Sequence, residues 1–350
     1  MKVELGITSF ADNNDIITEE GRQPALSAAQ RIRNIIEEIE TADALGLDVY
    51  GLGEHHRADY AVSDPVSVLA SAARSTTHIK LSSAVTVLSS DDPVRVFQRF
   101  STLDALSNGR AEILVGRGSF IESFPLFGHN LQDYEQLFNE KLDLLMKINA
   151  QTIVNWDGNF RPNIDNLGVY PRPEHGKLKI GIATGGTPES SLRAGALGLP
   201  ITYAIIGGDP KRFKRNVEMY KSSALSYGHD ANQLSVATHS WGFIADTDEA
   251  AMRAFFPSLK ANHDMLGRER GWPPYNEYTF EREISQHGAL YVGSPETVAQ
   301  KIINTVETLG LNRFMLHTPV GSIPHEDTLK TIRLLATQVK PIVDKCFEDK

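Results

Sequence analysis

Short runs rich in β-branched and apolar residues alternate along the chain with longer stretches whose apolar positions recur every three or four residues. The strand-like runs cover residues 3–8, 48–52, 80–87, 111–115, 179–183, 201–206, 236–244 and 313–317. Helical periodicity covers 28–45, 65–75, 94–106, 132–149, 188–197, 210–226, 249–266, 296–309 and 327–345. Strands separated by helices of this length read as βαβ units of a parallel sheet. Eight such units close into a (β/α)8 TIM barrel. The competing α/β arrangement, an open doubly wound sheet, expects a glycine-rich turn after the first strand. Ser9, Phe10, Ala11 and Asp12 stand there instead, which favours the barrel.

Two long connections interrupt the rhythm. Residues 151–176 contain Asn155-Trp156-Asp157-Gly158-Asn159, a hairpin signal with Asp-Gly at the tip. Residues 267–290 hold Trp272-Pro273-Pro274 among several charges. Loops of this length act as lids, binding segments or oligomer contacts. With no internal repeat, low-complexity tract or linker, the pattern predicts one barrel domain over 1–350 with insertion loops.

Composition narrows the class. A chain of 350 residues, 41% hydrophobic and 23% charged, builds a large core without disulfides. Its one cysteine, Cys346, forms no internal bridge, which suits a reducing cytoplasm. The formal charge of −9 and the lack of any basic tract argue against nucleic acid as a partner. Residues 2–7 enter a strand at once, and no window is apolar enough for a membrane span, so a cytoplasmic protein without a leader is expected.

Candidate chemistry gathers at the strand ends, where barrels build their sites. After the second strand come Glu54, His55, His56 and Arg57. Two imidazoles behind a carboxylate suit acid–base work, because imidazole titrates near neutral pH. A packed histidine bonded to a carbonyl is the plainer reading, but the position favours chemistry. Neighbours on extended backbone point to opposite faces, so His55 and His56 do not share an ion. With no His-x-x-x-His pair and no cysteine cluster, no metal site is expected.

The third strand ends in small and apolar residues that include Ala84 and Val85. They suit a flat aromatic ligand laid on backbone, although core packing explains them equally well. Asp91 or Asp92 then caps a helix that opens with Pro93. At the fourth strand end, Gly116 and Gly118 flank Arg117, pairing close backbone approach with an anion clamp; a simple turn is the alternative. At the fifth, Gly185, Gly186, Thr187, Pro188 and Ser190 offer free N–H groups to a monophosphate, or merely start a helix. Neither a P-loop nor a Gly-x-Ser-x-Gly elbow occurs. Ser294-Pro295 reads as a structural helix start, and His239 and His317 each stand where they could face the pocket.

Taken in order, these blocks resemble the bacterial-luciferase-like flavin-dependent monooxygenases. The resemblance runs through Leu45–His56, Asp64-Pro65, Ala84–Leu88, Asp92–Arg95, Leu103–Arg110, Gly116–Gly118, Gly185–Ser190 and Gly293–Glu296, nearly the whole chain. It implies a barrel that takes reduced FMN from a separate flavin reductase. With O2, that barrel oxidises a small organic substrate whose identity the sequence does not give. On this resemblance His55 is the catalytic histidine, with Glu54 and His56 beside it. Ala84-Val85, often a cis pair in the family, lies beneath the isoalloxazine. Arg117 sits near the flavin phosphate, and Gly186, Thr187 and Ser190 form the phosphate turn. A homodimer is also implied. Tyr50 replaces the family's usual tryptophan, and Ser119, Phe120, Ile121, Glu122, Ser123 and Phe124 replace luciferase's substrate-side residues. Both departures point away from light emission and an aldehyde substrate. The alternatives are hydride transfer with a deazaflavin coenzyme on the same barrel, a non-catalytic flavin-binding protein, and a metal-dependent barrel hydrolase. The second of these would be expected to lose the histidine pair, which is present.

Overall fold

The computed structural model describes residues 2–18, 21–118 and 120–348; Ser119, one of the departures above, lies outside them. Eight strands form the central sheet: β1 (Glu4–Ser9), β2 (Val49–Leu52), β3 (Lys80–Ser83, resuming at Thr86–Val87), β4 (Ala111–Gly116), β5 (Lys179–Thr184), β6 (Ile201–Ala204), β7 (Val236–Ile244) and β8 (Arg313–His317). Each pairs in parallel with the next, and β8 returns to β1, so the sheet closes into the expected barrel. Around it lie α1 (Ala28–Ala44), α2 (Pro65–Ala73), α3 (Pro93–Ser107), α4 (Tyr134–Ala150), α5 (Pro188–Ala196), α6 (Lys214–Ser226), α7 (Asp248–Arg270), α8 (Pro295–Leu309), α9 (His325–Leu334) and α10 (Lys340–Glu348). No helix among the described residues is long and apolar enough to cross a membrane.

Local chemistry sets these boundaries. Asp92, rather than Asp91, accepts from the N–H groups of Val94 and Arg95 and starts α3 at Pro93. Ser27, Thr247 and Ser294 start α1, α7 and α8 in the same manner. Asn108, Gly271 and Gly310 stop α3, α7 and α8 in the left-handed conformation, at φ 56°, 71° and 64°.

In parallel ladders, paired residues point to the same side. Leu5, Ile7, Tyr50, Leu52, Leu81 and Ile113 therefore face outward into the apolar layer beneath the helices. The opposite parity points Glu4, Gly6 and Thr8, Glu112, and Arg313, Met315 and His317 into the barrel. At its N-terminal end, Arg313 donates to Glu112 at 2.6 and 3.1 Å and to Glu4 at 2.7 Å. Lys179 reaches Glu112 at 3.0 Å, and Lys80 pairs with Glu4. Burial would raise the Glu112 carboxyl, but Arg313 and Lys179 outweigh it and bring it down to about 2.

Several regions depart from the sequence reading. The third strand is not continuous over 80–87: a cis peptide between Ala84 and Val85 divides it. The 151–176 connection does form an antiparallel pair, Ile153–Trp156 with Ile164–Gly168, but Asp157-Gly158 only begins a seven-residue loop, 157–163. The Glu140 carboxylate of α4 gathers the N–H groups of Asn159, Phe160 and Arg161 at 2.7–3.0 Å, drawing that loop against the helix. Within 267–290, α7 continues to Arg270 and a further helix spans Glu277–Ile284, capped by Asn276. A short strand, Tyr291–Gly293, pairs with the end of β7, whose nine residues overhang the ring.

Candidate active site

The barrel mouth has a small-residue half. Ala84 and Val85 lie at the break in β3, and the Ala84 N–H donates to Leu52 O at 2.7 Å. Glycines surround this shelf because nothing larger fits. A Cβ on Gly51 would come within 2.9 Å of the Ala84 methyl, and one on Gly116 within 2.8 Å of the Val85 side chain. Gly53 would meet Phe10 at 2.8 Å. Gly118, at φ +79°, packs on Val87 and accepts a hydrogen bond from the Tyr134 hydroxyl at 3.1 Å. The result is a flat backbone surface.

Beside it, α5 begins without a side-chain cap: Thr187 occupies the cap position, but its hydroxyl donates to Ser190 Oγ at 2.7 Å. Gly185 faces open space, with nothing within 4 Å of a built Cβ, while Gly186 adopts φ +104°. Asn216 of α6 fixes the turn by donating to Gly186 O at 2.7 Å. Uncapped N–H groups at an exposed helix start are an anion site. Arg117 is not free to complete it. Its guanidinium pairs with Glu135 of α4 and lies over the Tyr134 ring, with Arg193 of α5 at 4.0 Å from the other Glu135 oxygen.

The opposite half carries imidazoles and aromatic rings. His55 sits among Phe10, Tyr60 and Phe120, with ring centroids at 4.9, 4.2 and 5.3 Å, and its Nε2 has no partner among the described residues. Burial, reinforced by His56 and Arg57, lowers His55 to about 3. This places the ring below the near-neutral range expected of an imidazole and favours its uncharged form. His56 turns away from it, as alternation on extended backbone requires. It bonds Glu54 Oε1 at 2.9 Å and meets the edge of Phe127 at 5.1 Å. The second oxygen of Glu54 accepts from the Val87 N–H at 3.0 Å, so Glu54 ties the His55 loop to β3 just beyond the cis peptide.

His239 and His317 also come together here, which neither signalled alone. Thr8 Oγ1 lies 3.2 Å from His317 Nδ1 and 3.4 Å from His239 Nδ1, and Phe10 packs on both rings. Burial lowers His239 to about 4 and, with His239 and His55 adding to it, puts His317 well below its ordinary value. The loop carrying Phe10 is braced from below. Arg31 donates to Asp12 O and Ser9 Oγ while paired with Glu38, and Asp12 accepts from the Gly321 N–H at 3.0 Å.

A cover closes the mouth. Arg57 bonds Asp59, Glu122 and Glu269 at 2.9, 2.6 and 2.7 Å, and the guanidinium groups of Arg57 and Arg270 lie on Phe120. The segment after β4 is thereby fastened to α7. Next to it, a cavity of ≈ 500 Å³ opens between the loops after β1, β2 and β8 and α7, lined by Asn13, Asp59, Asn262, Arg268 and Ser322 among others. Among the described residues, no group of three or more His, Cys, Asp or Glu is arranged to hold a metal ion.

Comparison with known proteins identifies the family and the fold. Residues 8–313 match the profile of the family described as luciferase-like monooxygenase. The N-acetyl-S-alkylcysteine monooxygenase of Bacillus subtilis is 25% identical over 308 residues, covering 84% of this chain and 89% of the relative. Among solved structures, the monooxygenase RslO1 from Streptomyces bottropensis superposes with a TM-score of 0.82 at 21% identity, covering 97% of this chain and 99% of that one. The oxygenating constituent of 3,6-diketocamphane monooxygenase from Pseudomonas putida, a type II Baeyer-Villiger enzyme in complex with FMN, superposes at 0.76 with 20% identity and the same coverage.

Proposed function

The chain belongs to the luciferase-like monooxygenase family, and we propose that it uses externally supplied reduced FMN and O2 to oxidise a small organic substrate. One observation carries the reading: a side-chain-poor shelf at Ala84-Val85 lies between an uncapped helix start and a buried, unpartnered imidazole. That combination suits a flat ring, a phosphate and a reacting centre in that order. Ala84, Val85 and Gly116 would support the ring, and Gly185, Gly186, Thr187 and Ser190 the phosphate. Gly118 keeps the neighbouring turn tight. Arg117 joins the phosphate only if it leaves Glu135.

Bound reduced FMN supplies the electrons that activate oxygen. We assign the acid–base role to His55 through its unpartnered Nε2; burial makes the ring a weak base, which takes a proton only where charge developing on the reactants stabilises the imidazolium. Glu54 and His56 position the loop that carries it. Phe120, Tyr60 and Phe10 exclude water from this centre. A separate flavin reductase supplies the cofactor, since the sequence shows no dinucleotide fingerprint.

Anaerobic titration of the purified protein with reduced FMN and with a reduced deazaflavin, followed by mixing with O2, tests the reading. Tight binding of reduced FMN with an altered course of its oxidation supports it. Preference for the deazaflavin transfers the site to hydride transfer, and binding of neither overturns it. A His55→Ala variant that oxidises flavin and substrate as the parent does would remove the acid–base role.

A further inference from the structure

The Thr8 hydroxyl carries one proton and stands between two imidazole Nδ1 atoms, at 3.2 and 3.4 Å. No other hydrogen bond of this hydroxyl is found among the described residues. The arrangement that uses both contacts and the hydroxyl's proton gives that proton to one ring, whose Nδ1 is then a bare acceptor. The oxygen then has only lone pairs for the other ring, whose Nδ1 must carry a proton. A neutral imidazole protonated at Nδ1 has an acceptor at Nε2, and one bare at Nδ1 has a donor at Nε2. A single threonine thus fixes two histidines from different strands in opposite tautomers.

We propose that His239 and His317 form the subsite that orients the organic substrate, gripping an uncharged group that accepts one hydrogen bond and donates another. An amide, or a hydroxyl beside a carbonyl, has this chemistry. The inference rests on the oxidoreductase reading above and names the substrate class for that site.

Three observations support it. Both rings sit at the C-terminal level of the barrel, inward by the β7–β8–β1 register, with centroids 5.7 Å apart. Both are buried, at 8% and 1% exposure, and burial lowers both away from the charged form, so the pair presents no net charge. No lysine or arginine contributes to the shift of either ring; of the cations at the mouth, Arg57 is engaged by Asp59, Glu122 and Glu269 and Arg117 by Glu135, while Arg268 lines the neighbouring cavity. A carboxylate or sulfonate at this floor would be desolvated without a counter-charge and so bind more weakly than a neutral group. Phe10, packed against both rings, favours an apolar body attached to the polar group.

The test uses the full chain with isotopically labelled imidazole nitrogens, followed by NMR near neutral pH. His239→Gln and His317→Gln variants identify the two signals. One ring is expected to carry its proton at Nδ1 and the other at Nε2, with Thr8→Ser retaining the arrangement and Thr8→Val abolishing it. Matching tautomers in the parent protein, or an imidazolium in either ring, overturn the proposal. Benzamide and benzoate then probe recognition. Benzamide is expected to shift both signals and to bind about tenfold more tightly than benzoate, roughly the worth of one or two hydrogen bonds. Equal binding, or binding that leaves both signals unmoved, overturns the substrate class. Reduced-FMN binding by the same preparation is a separate readout: its loss removes the monooxygenase reading while the tautomer result stands.

Discussion

The two ends of the barrel interior solve opposite problems. At the N-terminal end, Arg313, Glu112 and Glu4 are charged and buried or nearly so, and each is paired, with Lys179 and Lys80 completing the set. At the C-terminal end, Thr8, His239, His317 and His55 are uncharged at neutral pH, and His55 Nε2 is left without a partner. β1 and β8 contribute to both layers with the same inward parity, so geometry alone does not distinguish them. What differs is saturation. A closed set of ion pairs holds the strands together and has nothing left to offer. A set of neutral rings with open atoms contributes less to stability and remains available to a ligand, as expected of the face where barrels place chemistry.

The largest test breaks the saturated end. Arg313→Met leaves Glu112 and Glu4 buried without their main counter-charge and should cost about 3–5 kcal/mol in chemical denaturation, with reduced-FMN binding retained under folding conditions. Equal loss of stability and binding would erase the distinction between the two ends. Next is the shelf: Gly116→Ala forces a Cβ against Val85 and should cost about 1–3 kcal/mol. It should also weaken reduced-FMN binding, measured by anaerobic titration.

Acid distinguishes one group from each end. The folded value for His239, about 4, lies below its unfolded one. Between the two, the unfolded chain binds more protons, so stability falls as pH drops from about 6.5, by roughly 2 kcal/mol near pH 5. Glu112 is also depressed, to about 2, but its contribution is intact above the ordinary carboxylate range and is lost only below it. Denaturation curves across pH should therefore show His239→Asn removing slope above pH 5 and Glu112→Gln removing it below about 4.5. The smallest effect belongs to the mouth's rim. Thr187→Ala removes no cap hydrogen bond from α5, so stability should hold within about 0.5 kcal/mol. The preference for FMN over riboflavin, a direct measure of phosphate recognition, should shrink several-fold.

Much of this frame was legible in the chain. The strands at 236–244 and 313–317 match their expected bounds, and Asp92-Pro93 and Ser294-Pro295 open helices as their chemistry requires. The ordered motifs placed Glu54, His55, Ala84, Val85 and the Gly185–Ser190 turn at one end of the barrel. The hairpin over 151–176 forms as its signal predicts, but Asp157-Gly158 is not its tip, because the loop is shaped by Glu140 on a helix that precedes it. The helix at Glu277–Ile284 escaped notice because its start depends on a single Asn276 cap within a charged run.

By itself, the sequence determined the period of each element, the caps that bound it, and which residues stand at strand ends, since these depend on neighbours a few positions apart. Tertiary structure alone decided which side chains meet. Thr8 and His317 are 309 residues apart, and Arg57 and Glu269 are 212 apart. No local pattern encodes such pairs, because they arise only when the eighth strand closes on the first. The same holds for charge: His55 is an ordinary histidine in the sequence and becomes a neutral one through the rings that bury it.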